Sequence, residues 1–294
     1  MSIAVVVNRG GGSSRPDIET LLRDAFAGHD LSPAIHVVAP GDLAGVCAEA
    51  SKADDCLILV AAGGDGTIGT AAAALAGTGR ALGIVPLGTL NHFARDAGIP
   101  LDLEGAVAVI AAGHRRRIDV AEVSGRVFVN NSAVGLYPEM VRFRHEAQAR
   151  TGLGKRLAML AASLRALRSF HRRRLLVTSA GSSLPLTTPL LLVGNNRYRM
   201  DLFALGHREA LDRGEICLYA VGARTRLHLL WAAVRGLFGR LDQQRDFLTL
   251  CGEAIDIASE RPALTLSVDG ETVTMRTPLR YRVRPGALTI IAPE

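Results

Sequence analysis

Three glycines and an aspartate separate an apolar strand from an alanine-rich helix in the stretch LILVAAGGDGTIGTAAAAL. A strand-to-helix turn needs one glycine at most, so Gly63, Gly64 and Gly66 indicate that a ligand approaches the backbone there. Backbone N–H groups at a helix N-terminus can surround phosphate oxygens. The segment therefore predicts a phosphate-binding loop, in which Asp65 holds Mg²⁺ or orients a nucleophile and Thr67 caps the helix.

Other interpretations of this loop remain open. Gly64, Gly66 and Gly69 also satisfy the GxGxxG spacing of dinucleotide-binding folds, but no acid follows in GRALGIVPLG, where such folds place one. A Walker A loop requires a lysine after its last glycine, and none is present. A loop that is rich in glycine for packing alone is the structural alternative.

A second turn of the same kind follows the next strand, in IVPLGTLNHFARDAGIP. Pro86 and Gly88 form this turn, and Thr89 and Asn91 stand at the start of a helix that carries Arg95. The carboxyl ends of neighbouring parallel strands lie at the same edge of a sheet. The two turns are therefore expected to face one cleft.

The elements that must position these turns change in character along the chain. Apolar strands and helices alternate at first, which predicts a doubly wound α/β nucleotide-binding domain over residues 1–118. From there on, short strand-like runs are separated by Gly, Pro and Asn, with two helical stretches among them. They predict a second, mainly antiparallel β domain over residues 119–294, which would bind the acceptor substrate.

Composition limits the class of protein. The 294 residues are 48% hydrophobic and 21% charged, enough for two domains with real cores. No apolar run reaches the roughly 18 residues of a membrane span, and the apolar N-terminal stretch lacks the basic region of a signal peptide. The four cysteines have neither CxxC spacing nor nearby histidine pairs, so neither a disulfide framework nor a zinc site is expected. A cytoplasmic protein fits this pattern.

The succession of GGDGT, PLGTLNHFAR and SVDGE resembles the diacylglycerol kinase family, which includes sphingosine kinases and bacterial lipid kinases of the YegS and DgkB type. NRGGGSS lies where that family has its nucleotide loop, and RRIDVAEVSGRVFVNNSAVGL resembles the segment that crosses between the domains. The resemblance extends over nearly the whole chain. It implies transfer of the γ-phosphoryl group of ATP to a lipid hydroxyl, with Mg²⁺ accompanying the nucleotide.

The resemblance also implies roles for individual residues. The positions expected at the nucleotide and its phosphates are Asn8, Gly12, Gly63, Gly64, Gly66, Thr67, Gly88, Thr89 and Asn91. Asp65 and Asp119 would organise Mg²⁺, with Asp212 in a weak structural metal site. Glu271 would be the general base that accepts the proton of the lipid hydroxyl. As a plain pattern, VDGET is also a tight hairpin turn, after which a glutamate is unremarkable.

Two positions depart from the family pattern. His92 and Arg213 stand where many members carry an aspartate, and both changes remove a carboxylate from the network around the structural Mg²⁺. We expect that metal site to be weak or absent, with the Arg213 guanidinium supplying positive charge in its place. The alternative is that both changes mark weakened or lost catalysis.

Two basic amphipathic stretches bear on the partners of the chain. Residues 151–174 space leucines at helical intervals among arginines, and a stretch from Arg226 adds Trp231 and Phe238. Such helices can lie on anionic lipid, which a net charge of +6 favours, although packing against the domain is commoner and a GC-rich coding bias also explains the charge. We expect transient contact with the inner membrane face. Nucleic acid is not expected, since aromatic residues make up 4% of the chain, and homodimerisation is left open.

The sequence thus predicts a lipid kinase, peripheral to the inner face of the membrane, with a diacylglycerol-like acceptor. Two alternatives stay open: an NAD-kinase-like enzyme that phosphorylates a soluble acceptor, and a regulator that binds nucleotide or lipid without turnover.

Overall fold

A computed structural model describes residues 3–9, 17–53, 56–138, 171–199, 207–222 and 247–294. Gly12 of the expected nucleotide site and both basic amphipathic stretches, apart from residues 171–174, lie outside these ranges. Within them, no helix combines the length and the apolar character needed to cross a bilayer.

The first part of the chain alternates strands and helices, as predicted. Its elements are β1 (Ile3–Asn8), α1 (Ile18–Ala27), β2 (Ala34–Val38), α2 (Leu43–Ala50), β3 (Ile58–Gly63), α3 (Asp65–Leu75), β4 (Ala81–Pro86), α4 (His92–Asp96) and α5 (Leu103–Ala112). The strands pair in parallel in the order β2-β1-β3-β4. Every residue of β3 and β4 is buried, because helices cover both faces of such a sheet.

The remainder is mainly antiparallel β structure, also as predicted. Its elements are β5 (Arg115–Val123), β6 (Arg126–Phe128), β7 (Asn131–Gly135), β8 (Arg173–Ser179), β9 (Ser182–Thr188), β10 (Leu190–Asn195), β11 (Ile216–Val221), β12 (Phe247–Gly252), β13 (Ala254–Ser259), β14 (Ala263–Val268), β15 (Glu271–Arg276) and β16 (Leu279–Ile291). Among the described strands, β12-β11-β10-β7-β14-β15 form a separate antiparallel sheet. An apolar core that includes Phe128 and Tyr281 fills the space between this sheet and the other strands of the second part.

The long strand β16 joins the two parts of the chain. Near its C-terminal end, β16 runs parallel to β4, with Thr289 opposite Ala81. The same strand also pairs antiparallel with β5 and β13. The sheet of the first part therefore continues into the second without a break. The predicted boundary between residues 118 and 119 falls inside β5.

The cysteines depart from expectation, because Cys217 and Cys251 form a disulfide. They lie directly opposite each other on the antiparallel strands β11 and β12, with Cα atoms 4.1 Å apart. The two residues are 34 positions apart in the chain, so strand register alone brings them together. Local cysteine spacing carries no sign of such a pair, so the sequence did not predict this disulfide, although one bridge beside two free cysteines is not a disulfide framework.

Thiol titration of the denatured chain checks the pairing. Without reductant, two thiols, those of Cys47 and Cys56, are expected to react, and four after reduction. Mass spectrometry of unreduced peptides should find Cys217 linked to Cys251. Four reactive thiols in protein purified without reductant would contradict the pairing.

Candidate active site

The two glycine turns lie against each other at the carboxyl ends of β3 and β4. Gly63 is paired with Pro86, and the N–H of Leu87 donates to the carbonyl of Gly63 over 2.9 Å. A Cβ atom on Gly88 would come within 2.6 Å of the Gly64 Cα atom. Glycine is required at position 88 because the two backbones touch there, and the turns form one continuous edge.

Residues at the start of α3 connect this edge to β1. The side chain of Asn8, at the end of β1, donates from Nδ2 to the Thr67 hydroxyl oxygen over 3.1 Å. The expected capping role of Thr67 was wrong: Gly64 is the N-cap, and the Thr67 N–H already donates to the Gly64 carbonyl. Gly66 is exposed, and outside its own helix backbone no described residue lies within 4 Å of where its Cβ atom would stand. The backbone at Gly66 is therefore open to a ligand.

Asp65 binds the start of the neighbouring helix. Its carboxylate accepts hydrogen bonds from the backbone N–H groups of His92 (3.2 Å) and Phe93 (3.0 Å), the first two residues of α4. A carboxylate at a helix N-terminus also interacts favourably with the helix dipole. Each oxygen retains a lone pair, and the residue is only half-buried, so the hard oxygen donors of Asp65 fit a magnesium ion.

Thr89 and Asn91 belong to the turn that leads into α4. Asn91 is buried in a left-handed conformation with φ of 49°, and its Nδ2 donates to the Gly88 carbonyl over 3.0 Å. Its Oδ1 atom has no hydrogen-bond partner among the described residues. An amide oxygen that is buried and unmatched at the mouth of the glycine turns is a feature that a bound ligand or water can satisfy.

Asp119 and Asp212 do not converge on a common ion. Asp119 is buried, and its two oxygens accept the backbone N–H groups of Gly214 (2.6 Å) and Gly286 (2.9 Å). Asp212 lies at the surface and pairs with Arg116 at 3.2 Å. Asp119 is buried inside the chain and Asp212 is exposed and paired with a guanidinium, so among the described residues these two carboxylates do not form one site for a structural Mg²⁺.

Arg213 does not supply the buried positive charge of this loop. The residue is exposed, and its backbone N–H donates to Asn196 Oδ1 over 2.9 Å. The fully buried cation is Arg208, five positions earlier. The role of Arg208 was not predictable from the sequence, where the residue is one of several arginines without a recognisable motif.

The SVDGE motif forms a two-residue hairpin turn between β14 and β15. Asp269 and Gly270 have φ values of 46° and 86°, and the paired residues Val268 and Glu271 flank them. A Cβ atom on Gly69 of α3 would come 3.1 Å from Asp269 Oδ2, so the turn lies against the helix that starts at the glycine loop. The hairpin interpretation of VDGET therefore holds as geometry and leaves a role for Glu271 open.

The two acids of this turn have different surroundings. The Asp269 carboxylate accepts the backbone N–H groups of Val129, Asn130 and Asn131 over 2.8 to 3.0 Å. Glu271 is exposed, and its carboxylate accepts a hydrogen bond from the Arg126 guanidinium. Asp269 thus fixes the turn to the loop between β6 and β7, while Glu271 faces solvent.

Burial raises the pKa of Asp269 from 3.8 to about 6, although the three backbone amides and Arg208 act to lower it. Between these two pKa values the folded chain holds a proton that the unfolded chain has released, so this residue's contribution to stability falls as pH rises from 4 to 6. The free energy of unfolding of the native chain, relative to an Asp269→Asn variant, is expected to fall by about 2 to 3 kcal/mol over that window. Urea titrations at half-unit pH intervals measure this, and a flat or rising difference would contradict it.

Comparisons with known proteins identify the family of both parts of the chain. A family model of the diacylglycerol kinase catalytic domain matches residues 2–123, and one of the YegS C-terminal NAD kinase beta sandwich-like domain matches residues 140–292. A Pseudomonas syringae pv. tomato protein named "probable lipid kinase YegS-like" is 31% identical over 249 residues, 80% of this chain and 75% of that protein.

Two further comparisons extend over most of the chain. An uncharacterized protein of Synechocystis sp. is 27% identical over 250 residues, 83% of this chain but 57% of the relative, so the chain spans little more than half of that protein. The crystal structure of a diacylglycerol kinase from Bacillus anthracis has the same fold, with a TM-score of 0.70 at 21% identity and coverage of 99% of this chain and 97% of that one. The chain therefore belongs to the diacylglycerol kinase family of lipid kinases, whose motifs its sequence resembles and whose fold it shares.

Proposed function

We propose that this chain transfers the γ-phosphoryl group of ATP to the hydroxyl of a diacylglycerol-like lipid, with Glu271 as general base. The observation that supports this most directly is the contact between Asp269 and α3 at Gly69. Because of this contact, the turn that precedes Glu271 packs against α3, the helix that begins at the glycine loop.

The glycine edge suits a triphosphate. Among the described residues nothing obstructs the backbone at Gly66, and the close approach of Gly64 and Gly88 brings the second turn beside it. Asn8 joins this edge through Thr67. Mg²⁺ bound with the nucleotide would neutralise the phosphate charge, and Asp65 is the residue that would hold it. Gly12, which lies outside the described residues, is proposed to contribute to nucleotide binding as well.

The proposed reaction needs one proton acceptor. The lipid hydroxyl oxygen forms a bond to the γ-phosphorus, the bond between that phosphorus and the bridging oxygen breaks, and ADP leaves. The hydroxyl proton passes to the Glu271 carboxylate. In the resting chain this carboxylate accepts a hydrogen bond from the Arg126 guanidinium, which holds it at the surface of the turn.

Membership of a lipid kinase family supports the proposed acceptor and place of action. A lipid alcohol lies in a bilayer, so the kinase must visit a membrane surface, and the net charge of +6 favours an anionic one such as the inner face of the cytoplasmic membrane.

Lipid phosphorylation with γ-labelled ATP tests the proposal. Purified chain would be incubated with Mg-ATP and detergent-dispersed diacylglycerol, phosphatidylglycerol or a sphingoid base, with NAD as the soluble alternative. Label is expected in the extracted lipid for at least one lipid alcohol, with stoichiometric ADP release. Label in NAD alone would favour the NAD-kinase-like enzyme, and ATP binding without ADP release would favour the regulator.

A further inference from the structure

The guanidinium of Arg208 is fully enclosed between the two parts of the chain, with no exposed side-chain surface. We infer that Arg208 is a positioning residue, which holds helix α4 of the donor site and the turn of the general base in fixed relation. This inference rests on the proposed function, since it concerns the geometry of the same site.

The contacts of Arg208 reach both sides of the junction. Toward the donor site, its Nε donates to Asp96 Oδ2 over 2.6 Å and its backbone N–H to Asp96 Oδ1 over 3.3 Å. Toward the β structure, Nη1 donates to the carbonyls of Val129 (2.5 Å) and Asn195 (3.3 Å), and Nη2 to Asn130 Oδ1 (2.9 Å). One planar group thus ties three segments together.

Aromatic rings complete the enclosure. The guanidinium carbon lies 5.7 Å from the centre of the Phe93 ring in α4 and 5.2 Å from that of Tyr198. Both distances are within the range of cation–π attraction, which is stronger away from water. Phe93 is also the residue whose N–H binds Asp65, so the cation contacts the same helix at its start and, through Asp96, at its end.

Arg208 and Asp269 bind the same short segment, residues 129–131, from the end of β6 to the start of β7. Arg208 binds the Val129 carbonyl and the Asn130 side chain, while the Asp269 carboxylate binds the backbone N–H groups of residues 129–131. Direct contacts therefore run from Asp65 through α4 and Arg208 to this loop, and from there to the turn that ends at Glu271. A shift at Arg208 moves the donor side relative to the base.

A lysine in this place would keep the charge and lose the geometry. An ammonium group has no planar fork that could bind a carboxylate, two carbonyls and an amide oxygen at once. Arg208→Lys is therefore expected to lower kcat by on the order of 10-fold, since reacting groups that lose alignment react more slowly even when substrate still binds. The dissociation constant of ATP is expected to stay within about 3-fold, because no contact from Arg208 reaches the glycine turns.

The experiment compares Arg208→Lys with Arg199→Lys, an exposed arginine that pairs with Glu209 at 2.9 Å. kcat is measured per molecule competent to bind ATP, so that partial unfolding does not lower it. Amide hydrogen exchange is measured in parallel and is expected to quicken at residues 92–93 and 129–131 in Arg208→Lys, with α1 and α5 unchanged. Arg199→Lys should match the native chain throughout.

Each outcome decides the inference. An unchanged kcat per competent molecule, or faster exchange spread evenly over the chain, would show a general stabilising role and overturn it. If the native chain has no lipid turnover, the proposed function fails, and the exchange pattern at the two segments still decides whether Arg208 holds them together. If Arg208→Lys does not fold, the test uses Asp96→Asn, which keeps the shape of the side chain and removes its charge. kcat per competent molecule and amide hydrogen exchange are then measured on that variant.

Discussion

Replacing Glu271 by glutamine is expected to lower the rate of lipid phosphorylation by about 10² to 10⁴-fold, the usual contribution of a general base. Glutamine keeps the size of the side chain and its place beside Arg126, but its amide cannot accept the hydroxyl proton. ATP affinity should stay as it is, because Glu271 lies on β15 in the second part of the chain. The measurement is the initial rate of lipid labelling at saturating Mg-ATP.

Stability should not account for the loss. The Glu271 side chain is 59% exposed, and an exposed ion pair contributes about 1 kcal/mol at most. Glu19→Gln is the matched control, since Glu19 is 51% exposed and pairs with Arg23 in the same way on α1. A Glu271→Gln variant that retains the native rate within a few-fold would remove Glu271 as the base.

The fold was predictable because its signals are local. Strands β1, β3 and β4 are continuous apolar runs, as expected of parallel strands buried on both faces, and the second part shows short strands separated by Gly, Pro and Asn. The order of the GGDGT, PLGTLNHFAR and SVDGE motifs was sufficient to predict the family. The apolar runs, the turn residues and each motif are formed by residues that are adjacent in the chain, so a single sequence reveals them.

Several side-chain roles were not predictable because their partners are distant in the chain. Asp65 binds backbone amides 27 and 28 positions away, and Asp269 binds amides 138 to 140 positions away. Nothing in GGDGT or SVDGE shows where these amides will be. Local sequence gave Thr67 the capping role that the backbone of Gly64 fills.

In the loop of residues 207–214, the sequence likewise does not reveal which charged side chain is buried. It contains two arginines, and the departure from the family pattern drew attention to Arg213, which proves to be exposed. The buried cation is Arg208, which faces Asp96 on α4, 112 positions away. Which of two nearby arginines enters the interior depends on how the two parts of the chain pack together, and that information is absent from the sequence of the loop.

Gly88→Ala is expected to reduce kcat/KM for ATP by about 10²-fold, because it separates the two glycine turns. The new Cβ atom would stand 2.6 Å from the Gly64 Cα atom and 2.6 Å from Asn91 Oδ1, closer than packed atoms approach. Backbone cannot rotate away as a flexible side chain can, so the turns must part. Overpacking of this kind also lowers the free energy of unfolding by about 1 to 3 kcal/mol.

Gly66→Ala separates a requirement of the fold from a requirement of the ligand. Among the described residues, apart from the backbone of the helix itself, no atom lies within 4 Å of a Cβ at position 66 or at Gly45 in α2, so neither alanine should destabilise the chain. If phosphate oxygens approach the backbone at Gly66, ATP affinity measured by calorimetry falls in Gly66→Ala and stays native in Gly45→Ala. Native affinity in both, with loss only in Gly88→Ala, would mean that the glycines of this loop serve packing, and the proposed phosphate contact at Gly66 would be wrong.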